Sequence, residues 1–455
     1  MSDNNRHSKI GAVSDYRIPA DSAWQQAWKM AAGIGVVGLV IAGFGYTIDP
    51  RRFAFAYLMG FVTVLTMALG SVFFVLIQHL TGAGWSVTVR RTSEFFVAGM
   101  VVVPLLALPN LLGREQLYPW WSHGNEGVAH AQAHDEAARH GRLPSDAAPA
   151  PADPAHAVGA ETGDESGPEA AIEHQLIKGK QPYLNSTFFF LRALIYFAAW
   201  LWLARRLFGY STAQDKNGDP QWTVKLQRLA PGATWVFALT LTFAAFDWLM
   251  SLEPSWYSTM FGVRFFASSV VLAIALNILV GLGLRKSGAV QEEINVDHFH
   301  DLGKLMFGFL IFWAYISFSE FMLIWYAAIP EETIYYHYRW DTPWWRALSI
   351  AIVVVKFIIP FFMVMSRNAK RNLGLIGFGA AWIAALHIVE MYYWVMPYYN
   401  HGEVAFSITG LMTDLGAIFG CVGIYLAVVF RRMLDHPVIA LRDPRLSRAI
   451  DFVNA

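Results

Sequence analysis

The chain has 455 residues, of which 55% are hydrophobic and 15% are charged, and its formal net charge is zero. Soluble globular proteins carry about 25% charged residues, so this composition predicts a membrane protein and gives no electrostatic case for nucleic-acid binding. The single cysteine, Cys421, excludes an internal disulfide, a cysteine-ligated iron–sulfur cluster and CxxCH haem attachment. Any electron-transfer role would therefore need redox centres on partners or a diffusible carrier.

Ten apolar runs are long enough to cross a bilayer as helices. Their predicted limits are 24–48, 53–80, 92–113, 185–208, 229–251, 258–284, 303–330, 344–367, 372–396 and 404–431. These runs are too long and continuous for barrel strands, so the predicted fold is an all-α polytopic membrane protein with ten transmembrane helices. Outside the membrane we expect an N-terminal segment over 1–23, a loop over 114–184 and a C-terminal tail over 432–455.

The loop charges predict the orientation. Lysine and arginine clusters follow the even-numbered spans, namely Arg90 and Arg91, then Arg205, Arg206, Lys216, Lys225 and Arg228, then Arg285 and Lys286, then Arg367, Lys370 and Arg371, and finally Arg431 and Arg432. The positive-inside rule then predicts a multi-pass protein with both termini in the cytoplasm. The first residues lack a short apolar core with a cleavage site, so we expect no cleaved signal peptide.

The long loop over 114–184 is predicted to lie outside. Its middle is acidic and rich in Ala, Pro and Gly, and it cannot bury enough apolar surface to fold alone. It carries His123, His130, His134, His140, His156 and His174. The i,i+4 spacing of His130 and His134 leaves a metal site open, but the irregular remaining spacing and the lack of cysteines favour a solvated segment lying on a partner.

Ionisable residues inside spans are functional candidates by default. Near the inner face, His79 and Glu94 have two interpretations. In the first, they form an inner proton entrance together with Lys304, which lies at the inner end of span seven. In the second, Arg90 and Arg91 anchor the chain at the inner membrane surface, and Glu94 is merely an ion-pair partner.

Charged residues also occur in the outer halves of spans five and six. Asp247 lies one turn before the end of span five, and Glu253 follows it. Arg264 in span six is positioned to neutralise one of these two carboxylates, and a structural ion pair is an equal alternative to a functional role.

Span seven carries Glu320, and Ser317 lies near the same helix face, which suits a water wire. Lys356 lies in the middle of span eight, where a lysine must face the bundle, pair, or lose its proton. His387 and Glu390 in span nine share one face, and histidine can bridge proton carriers near neutral pH.

Span ten adds Asp414 at a similar depth. The groups that map to the outer half are Asp247, Arg264, Glu320, His387, Glu390 and Asp414. From depth alone we predict a polar cavity that opens outward, or one end of a proton path that Lys356, Lys304 and His79 continue inward.

Three stretches carry a family resemblance: SVFFVLIQHLTGAGWSVTVRR, FDWLMSLEPSWYSTMFG and DLGKLMFGFLIFWAYISFSEFMLIWYAAIPEETIYYHYRW. They resemble the F-type membrane subunits of alternative complex III, a bacterial quinol:electron-acceptor oxidoreductase, within the NrfD-like polysulfide-reductase membrane-subunit family. The resemblance covers nearly all ten spans. It implies two four-helix bundles, made of spans two to five and six to nine, with spans one and ten peripheral.

The resemblance also implies an assembly in a bacterial inner membrane. Expected partners are a homologous NrfD-like membrane subunit, an iron–sulfur subunit, multihaem and monohaem cytochrome c subunits, and a terminal oxidase as a further candidate. Quinol would be oxidised on the outer side, and partner clusters and haems would pass its electrons to cytochrome c or the oxidase. No cofactor is expected on this chain itself, apart from quinone or menaquinone as a candidate ligand.

For this chain the resemblance implies a proton pathway first and a quinone cavity second, because the quinol pocket is expected in the sister subunit. The residues that the matching stretches carry over are Asp247, Glu253, Lys304 and Glu320. Two alternatives remain: a structural scaffold in which the buried ionisable groups are merely paired, and a secondary transporter. The chain would be enzymatic only as part of the complex.

Overall fold

The computed structural model describes residues 16–121, 178–403 and 406–454. In these ranges ten helices are long and apolar enough to cross a membrane. They are α1 (Trp24–Ile48), α2 (Pro50–Leu80), α3 (Val87–Leu112), α4 (Ser186–Asn217), α5 (Gln221–Leu252), α6 (Phe261–Lys286), α7 (Val296–Ala327), α8 (Pro343–Met365), α9 (Leu373–Tyr398) and α10 (Ile408–Asp435). The predicted all-α fold with ten spans is confirmed.

The largest differences from the predicted limits lie between α4 and α5. The two helices extend past the apolar runs until only Gly218, Asp219 and Pro220 separate them. Gly218 has a φ of 70°, a left-handed conformation that suits glycine at the end of a helix. Hydrophobicity marks the part of a helix that fits the bilayer, whereas polar residues continue the same helix into water.

Helix α2 lies at the centre of the molecule. Within its most hydrophobic stretch of 18 residues, 89% is buried. It packs with α3, α4 and α5 as one group, while α6, α7, α8 and α9 form a second group. The two groups meet where α2 crosses α6. A Cβ atom built on Gly70 would lie 2.0 Å from the Ser269 carbonyl oxygen, so only glycine allows this close crossing. The contacts match the predicted pair of four-helix bundles.

Helices α1 and α10 pair with each other on the outside of α2. Glycines line both sides of their contact, and a Cβ atom built on Gly38 would lie 2.5 Å from the Gly420 nitrogen. Small residues of this kind let helix backbones approach closely in a membrane, where dispersion contacts replace the hydrophobic effect between helices. Helices α1 and α10 are therefore held together by van der Waals contacts between closely packed backbones.

The first and last described segments lie together at one end of the bundle, which we call the terminal end. The Val438 amide donates to the Tyr16 carbonyl at 2.8 Å. At the opposite end, which we call the distal end, the amphipathic helix Pro330–Trp340 connects α7 to α8. Arg339 holds it against α9 by donating to the carbonyl oxygens of Tyr393 at 3.1 Å and Trp394 at 3.0 Å.

We predict that Gly38→Ala lowers the stability of the chain, because the added methyl group must push α1 away from α10. Overpacking of this kind costs about 1–3 kcal/mol. Gly43→Ala is the matched control, since a Cβ atom there meets nothing within 4 Å. Thermal unfolding of the detergent-solubilised chain should show a lower midpoint for Gly38→Ala only. Equal midpoints for the two variants would contradict the close α1–α10 contact.

Candidate functional site

Side chains from α2, α6, α7, α8 and α9 meet around Glu390, in the middle of the second bundle. Glu390 forms an ion pair with Lys356 and accepts a hydrogen bond from the Ser268 hydroxyl. The Trp313 indole donates to its other oxygen at 2.6 Å. Lys356, His387 and Glu390 are each only 1% exposed. Charges this deeply buried persist only when they are paired and hydrogen-bonded, and Glu390 satisfies both conditions.

Both ring nitrogens of His387 contact hydroxyl groups. Its Nε2 lies 2.8 Å from the Thr66 hydroxyl, which donates its own proton to the Thr63 carbonyl at 2.8 Å. With that hydrogen bond in place, Thr66 accepts from Nε2 of His387, and the neutral ring then presents Nδ1 as an acceptor that lies 3.1 Å from the Ser268 hydroxyl.

The Ser268 hydroxyl lies between the two proton-accepting groups. It contacts Glu390 and the His387 Nδ1, and the Lys356 ammonium donates to it at 3.3 Å. A hydroxyl has one proton to donate, so it can bond the carboxylate or the imidazole but not both. A protonated Glu390 could therefore pass a proton to His387 if it donates to the Ser268 oxygen while Ser268 gives its own proton to Nδ1. We call the set Thr66, Ser268, Lys356, His387 and Glu390 the relay cluster.

An irregular stretch of α8 positions Lys356. Residues Ile352–Ile358 form a π-helical segment, and Lys356 lies within it. Pro360 follows one turn later and has no amide hydrogen to donate to the Lys356 carbonyl. The loosened hydrogen-bond ladder accommodates the wider turn, and such π-helical segments occur frequently at functional sites.

A second buried pair lies closer to the distal end. Arg264 on α6 pairs with Glu320 on α7 at 2.8 Å, and Ser258 donates to the other Glu320 oxygen at 2.6 Å. Arg264 also donates to the Tyr335 hydroxyl at 2.7 Å. The expectation that Arg264 neutralises Asp247 or Glu253 is therefore wrong, because Glu320 takes that role across the α6–α7 interface.

The remaining outer carboxylates form separate closed pairs. Asp247 accepts two hydrogen bonds from Arg192, at 2.8 and 2.9 Å, and one from the Tyr196 hydroxyl at 2.7 Å. Asp414 on α10 pairs with Arg52 on α2 at 2.7 Å. The six groups of similar depth therefore do not share one cavity, since depth along a helix does not specify the direction in which a side chain points.

Glu253 lies in the connection between α5 and α6. It accepts a hydrogen bond from the Ser255 hydroxyl at 2.5 Å. Nearby, the Lys180 ammonium donates to the Pro254 carbonyl, and burial lowers the pKa of Lys180 although the charge of Glu253 acts in the opposite direction. Glu253 is thus a distal-end residue apart from the relay cluster.

The three predicted inner residues do not form one site. Glu94 is fully buried between Arg90, at 2.8 Å, and Arg91, at 3.3 Å. His79 is 1% exposed, and neither of its ring nitrogens has a hydrogen-bond partner among the described residues. Lys304 is half-exposed at the terminal end of α7 and pairs with Asp301 at 2.7 Å.

The buried arginines of α3 hold the C-terminal tail rather than lipid head groups. Arg90 pairs with Asp443 of the tail at 3.2 Å, and Arg445 pairs with the same carboxylate at 2.9 Å. Arg91 pairs with Asp215 at the end of α4 at 2.6 Å. Glu94 is therefore an ion-pair partner, as one of the two interpretations expected. Arg90 and Arg91 do not simply anchor the chain at the membrane surface, because both are buried and pair with carboxylates.

Several partners in these sites did not stand out in the sequence. Ser268, Thr66 and Trp313 are residue types that are common in membrane spans, so the sequence did not mark them as site residues. Arg192 and Arg52 could have been marked, because a charge inside or beside an apolar run is a functional or structural candidate by default. Pairing each such cation with a buried carboxylate would have predicted ion pairs, though not which partners meet.

No group of three or more metal-ligating side chains occurs within residues 16–121, 178–403 and 406–454. The loop histidines His123, His130, His134, His140, His156 and His174 lie outside the described residues. The proposed metal or partner role of that loop stays a prediction.

Within the described residues, the fold is that of a multi-pass membrane protein with ten helices long enough to cross a membrane and a buried polar cluster inside the second bundle. Comparison with protein families finds no family model that matches the chain. Comparison with curated proteins finds no matching protein either. The function must therefore be inferred from the site and from the motifs of the sequence.

We predict that Glu320→Gln destabilises the chain by about 3–5 kcal/mol, because it leaves the buried Arg264 charge without a partner. The double variant Arg264→Met with Glu320→Leu should recover most of that loss, since it removes both charges. Unfolding in mixed micelles measures the difference. Glu115→Gln is the control, because its pair with Arg114 is exposed and should change stability by at most about 0.5 kcal/mol.

We predict a pH-dependent docking of the C-terminal tail through Asp443. Burial alone would raise the pKa of Asp443, but the hydrogen bonds and charges of Arg445 and Arg90 outweigh it and hold that pKa below its usual range. A lowered folded pKa means that the contribution is complete above the unfolded value of about 4 and is lost as pH falls through the folded pKa.

Limited proteolysis of the tail measures this docking. Asp443→Asn should increase cleavage by the same factor at every pH above about 4, and the difference from the natural chain should shrink at lower pH. Asp451→Asn, at an exposed position of the same tail, should cleave like the natural chain. A difference that grows as the pH falls would contradict the assignment.

Proposed function

We propose that this chain is an integral membrane subunit of a bacterial respiratory quinol-oxidising complex of the alternative complex III type, and that it carries protons for that complex. The relay cluster is the single observation that supports the proton role. It joins Lys356, Glu390, Ser268, His387 and Thr66 by direct hydrogen bonds in the membrane interior. The motifs of spans two, five and seven support the respiratory assignment.

The proposed path begins at Glu390. Glu390 would give the arriving proton to the Ser268 oxygen as Ser268 gives its own proton to Nδ1 of His387, and His387 would release its Nε2 proton to the Thr66 oxygen as Thr66 passes its hydroxyl proton onward. The steps from Glu390 to Thr66 use contacts already in place, whereas the onward transfer requires the Thr66 hydroxyl to turn away from the Thr63 carbonyl. The ammonium of Lys356 offsets the carboxylate charge, which reduces the free energy of holding an ion in a low-dielectric interior.

From Thr66 the proposed path follows α2 toward the terminal end. Further buried polar side chains occur along α2 in that direction, namely Ser71, Gln78 and His79. The Asn277 amide on α6 donates to the Ser93 hydroxyl on α3 at 2.6 Å beside the same route. His79 would be its last member. In this proposal the terminal end faces the cytoplasm, as the positive-inside rule predicts.

The remaining parts of the function belong to partners. We propose that quinol or menaquinol is oxidised in the complex, that an iron–sulfur subunit and haem c subunits carry the electrons, and that cytochrome c or a terminal oxidase accepts them. A homologous NrfD-like membrane subunit would lie beside this chain. These assignments rest on the resemblance of the three sequence stretches.

The scaffold alternative has its own support. Asp247, Glu320 and Asp414 each sit in a closed pair with an arginine. Such pairs need no role beyond specifying how helices pack. The two ideas make different predictions, because the Ser268 hydroxyl of the relay cluster lies between Glu390 and His387, whereas the carboxylate of each closed pair is held by an arginine.

We predict that Glu390→Gln and Ser268→Ala each lower quinol-driven proton release by about tenfold or more in the intact complex, because each breaks the hydrogen-bonded chain. Asp414→Asn is the matched control, since it removes a buried, arginine-paired carboxylate outside the relay cluster. Proton release should be measured in proteoliposomes beside the rate of quinol oxidation.

Unchanged proton release in both relay variants would overturn the proton role and favour the scaffold. Purification tests the respiratory assignment separately. A chain that purifies from native membranes as a homogeneous species without haem or iron–sulfur partners would count against the complex and leave a transporter as the alternative.

A further inference from the structure

Helices α4 and α5 continue beyond the apolar parts of their spans and form a hairpin at the terminal end. Only residues 218–220 separate them, so the two helices run side by side up to the turn. The amide of Leu441 in the C-terminal tail donates to Asp215 of this hairpin at 3.1 Å. We call residues 202–228 the basic hairpin.

The basic hairpin carries five cations and two carboxylates. Both carboxylates have other partners, since Asp215 pairs with Arg91 at 2.6 Å and Asp219 accepts from the Gln221 amide at 2.9 Å. The five cations are exposed, and none of them forms an ion pair within the part of the chain that the structure describes. They are Arg205, Arg206, Lys216, Lys225 and Arg228.

Two exposed cations elsewhere at the terminal end do have carboxylate partners. Lys304 pairs with Asp301 at 2.7 Å, and Arg431 pairs with Asp435 at 3.3 Å. The basic hairpin instead concentrates like charges, which repel one another. An anionic ligand would relieve that repulsion.

Aromatic side chains hold two of these cations in place. Arg206 donates to the Tyr210 hydroxyl at 2.8 Å, and the ring centroids of Tyr210 and Trp222 are 5.3 Å apart. The Lys225 ammonium lies 4.1 Å from the centroid of the Trp222 ring. A guanidinium has several N–H donors and an ammonium has three, so these contacts leave donors free for a ligand.

The arginines of the basic hairpin lie at the edge of the apolar spans. Arg205 and Arg206 precede Phe208, where the predicted apolar run of α4 ends. Arg228 precedes Leu229, where the predicted run of α5 begins. This edge is the depth of phospholipid head groups, which arginine reaches while its stem packs on apolar surface.

An exposed tryptophan lies on the apolar side of these arginines. Trp202 is 44% exposed, and its i,i+4 spacing from Arg206 places both on one face of α4. Tryptophan is enriched where acyl chains meet head groups. A soluble acidic partner would meet the tip of the hairpin, so tryptophan beside arginine at the apolar edge favours a lipid.

We propose that the basic hairpin binds the phosphate groups of anionic phospholipids, with phosphatidylglycerol as the representative ligand. Clusters of Lys and Arg beside a span attract anionic lipids, and guanidinium groups bind phosphate oxygens through two parallel hydrogen bonds. The choline cation of phosphatidylcholine would be repelled by the same arginines, whereas the glycerol of phosphatidylglycerol carries no charge. The proposal needs only a bilayer and does not depend on a respiratory role.

Arginine footprinting of the natural chain tests the proposal. The full chain, with any partners that purify with it, would be placed in nanodiscs of phosphatidylcholine alone or mixed with phosphatidylglycerol, treated with a phenylglyoxal reagent, digested and mapped by mass spectrometry. Arg205, Arg206 and Arg228 should react about fivefold more slowly when phosphatidylglycerol is present. Arg431 is the matched control, because it ends the apolar run of α10 but is already paired with Asp435.

A lipid titration of charge variants gives a second measurement. Native mass spectrometry of the detergent-solubilised protein would count bound phosphatidylglycerol. Arg205→Gln with Arg206→Gln should raise the half-saturating lipid concentration by about tenfold. Arg431→Gln with Arg432→Gln makes the same change in net charge at another span end and should have a smaller effect. Arg205→Lys with Arg206→Lys should fall between the natural chain and the Gln variant, because it keeps the charge and loses the paired hydrogen bonds.

Three outcomes would overturn the proposal. Equal protection of Arg431 and the hairpin arginines, or equal weakening by the two Gln double variants, would assign the attraction to the whole charged surface. Equal protection in both kinds of nanodisc would assign the hairpin to a protein partner or to lipid of any charge. Neither measurement involves quinol oxidation or proton release, so a failure here is distinguishable from a failure of the proposed function.

Discussion

The ion pair between Lys356 and Glu390 is the constraint on which the second bundle depends. Neither charge tolerates the membrane interior alone, and their desolvation is offset only because Ser268, Trp313 and the opposite charge are all in place. Satisfying both groups requires α6, α7, α8 and α9 to converge at one depth. The pair therefore specifies helix packing and also leaves a carboxylate beside a histidine, where proton transfer becomes chemically reasonable.

The buried charges divide into two kinds with different consequences. Pairs such as Arg192 with Asp247 and Arg52 with Asp414 are closed, since each carboxylate is saturated by its arginine and neighbouring groups. The relay cluster is open, because the Ser268 hydroxyl has more acceptors within reach than protons to donate. Closed pairs resist change and suit a scaffold, whereas an open cluster has alternative hydrogen-bond patterns.

Similar depth proved a poor guide to contact. Asp247 and Glu320 lie at comparable heights but belong to different bundles, so the pairing of Arg264 with Glu320 was decided by which faces of α6 and α7 meet. The i,i+3 spacing of His387 and Glu390 was a better guide, because a helix places these residues on one face whatever surrounds it. The spacing of residues along one helix is the same before and after the helices pack. Contacts between helices depend on how the whole bundle packs.

The sequence by itself determined the ten spans, because hydrophobic length follows directly from the thickness of the bilayer. It also marked Lys356, His387 and Glu390 as candidates, since charge inside a span is energetically unfavourable wherever the helix lies. Only the tertiary structure decided that Ser268 and Thr66 complete the relay cluster and that Arg264 pairs with Glu320. Those features depend on the rotation and crossing of neighbouring helices, which glycines such as Gly70 permit but no single span encodes.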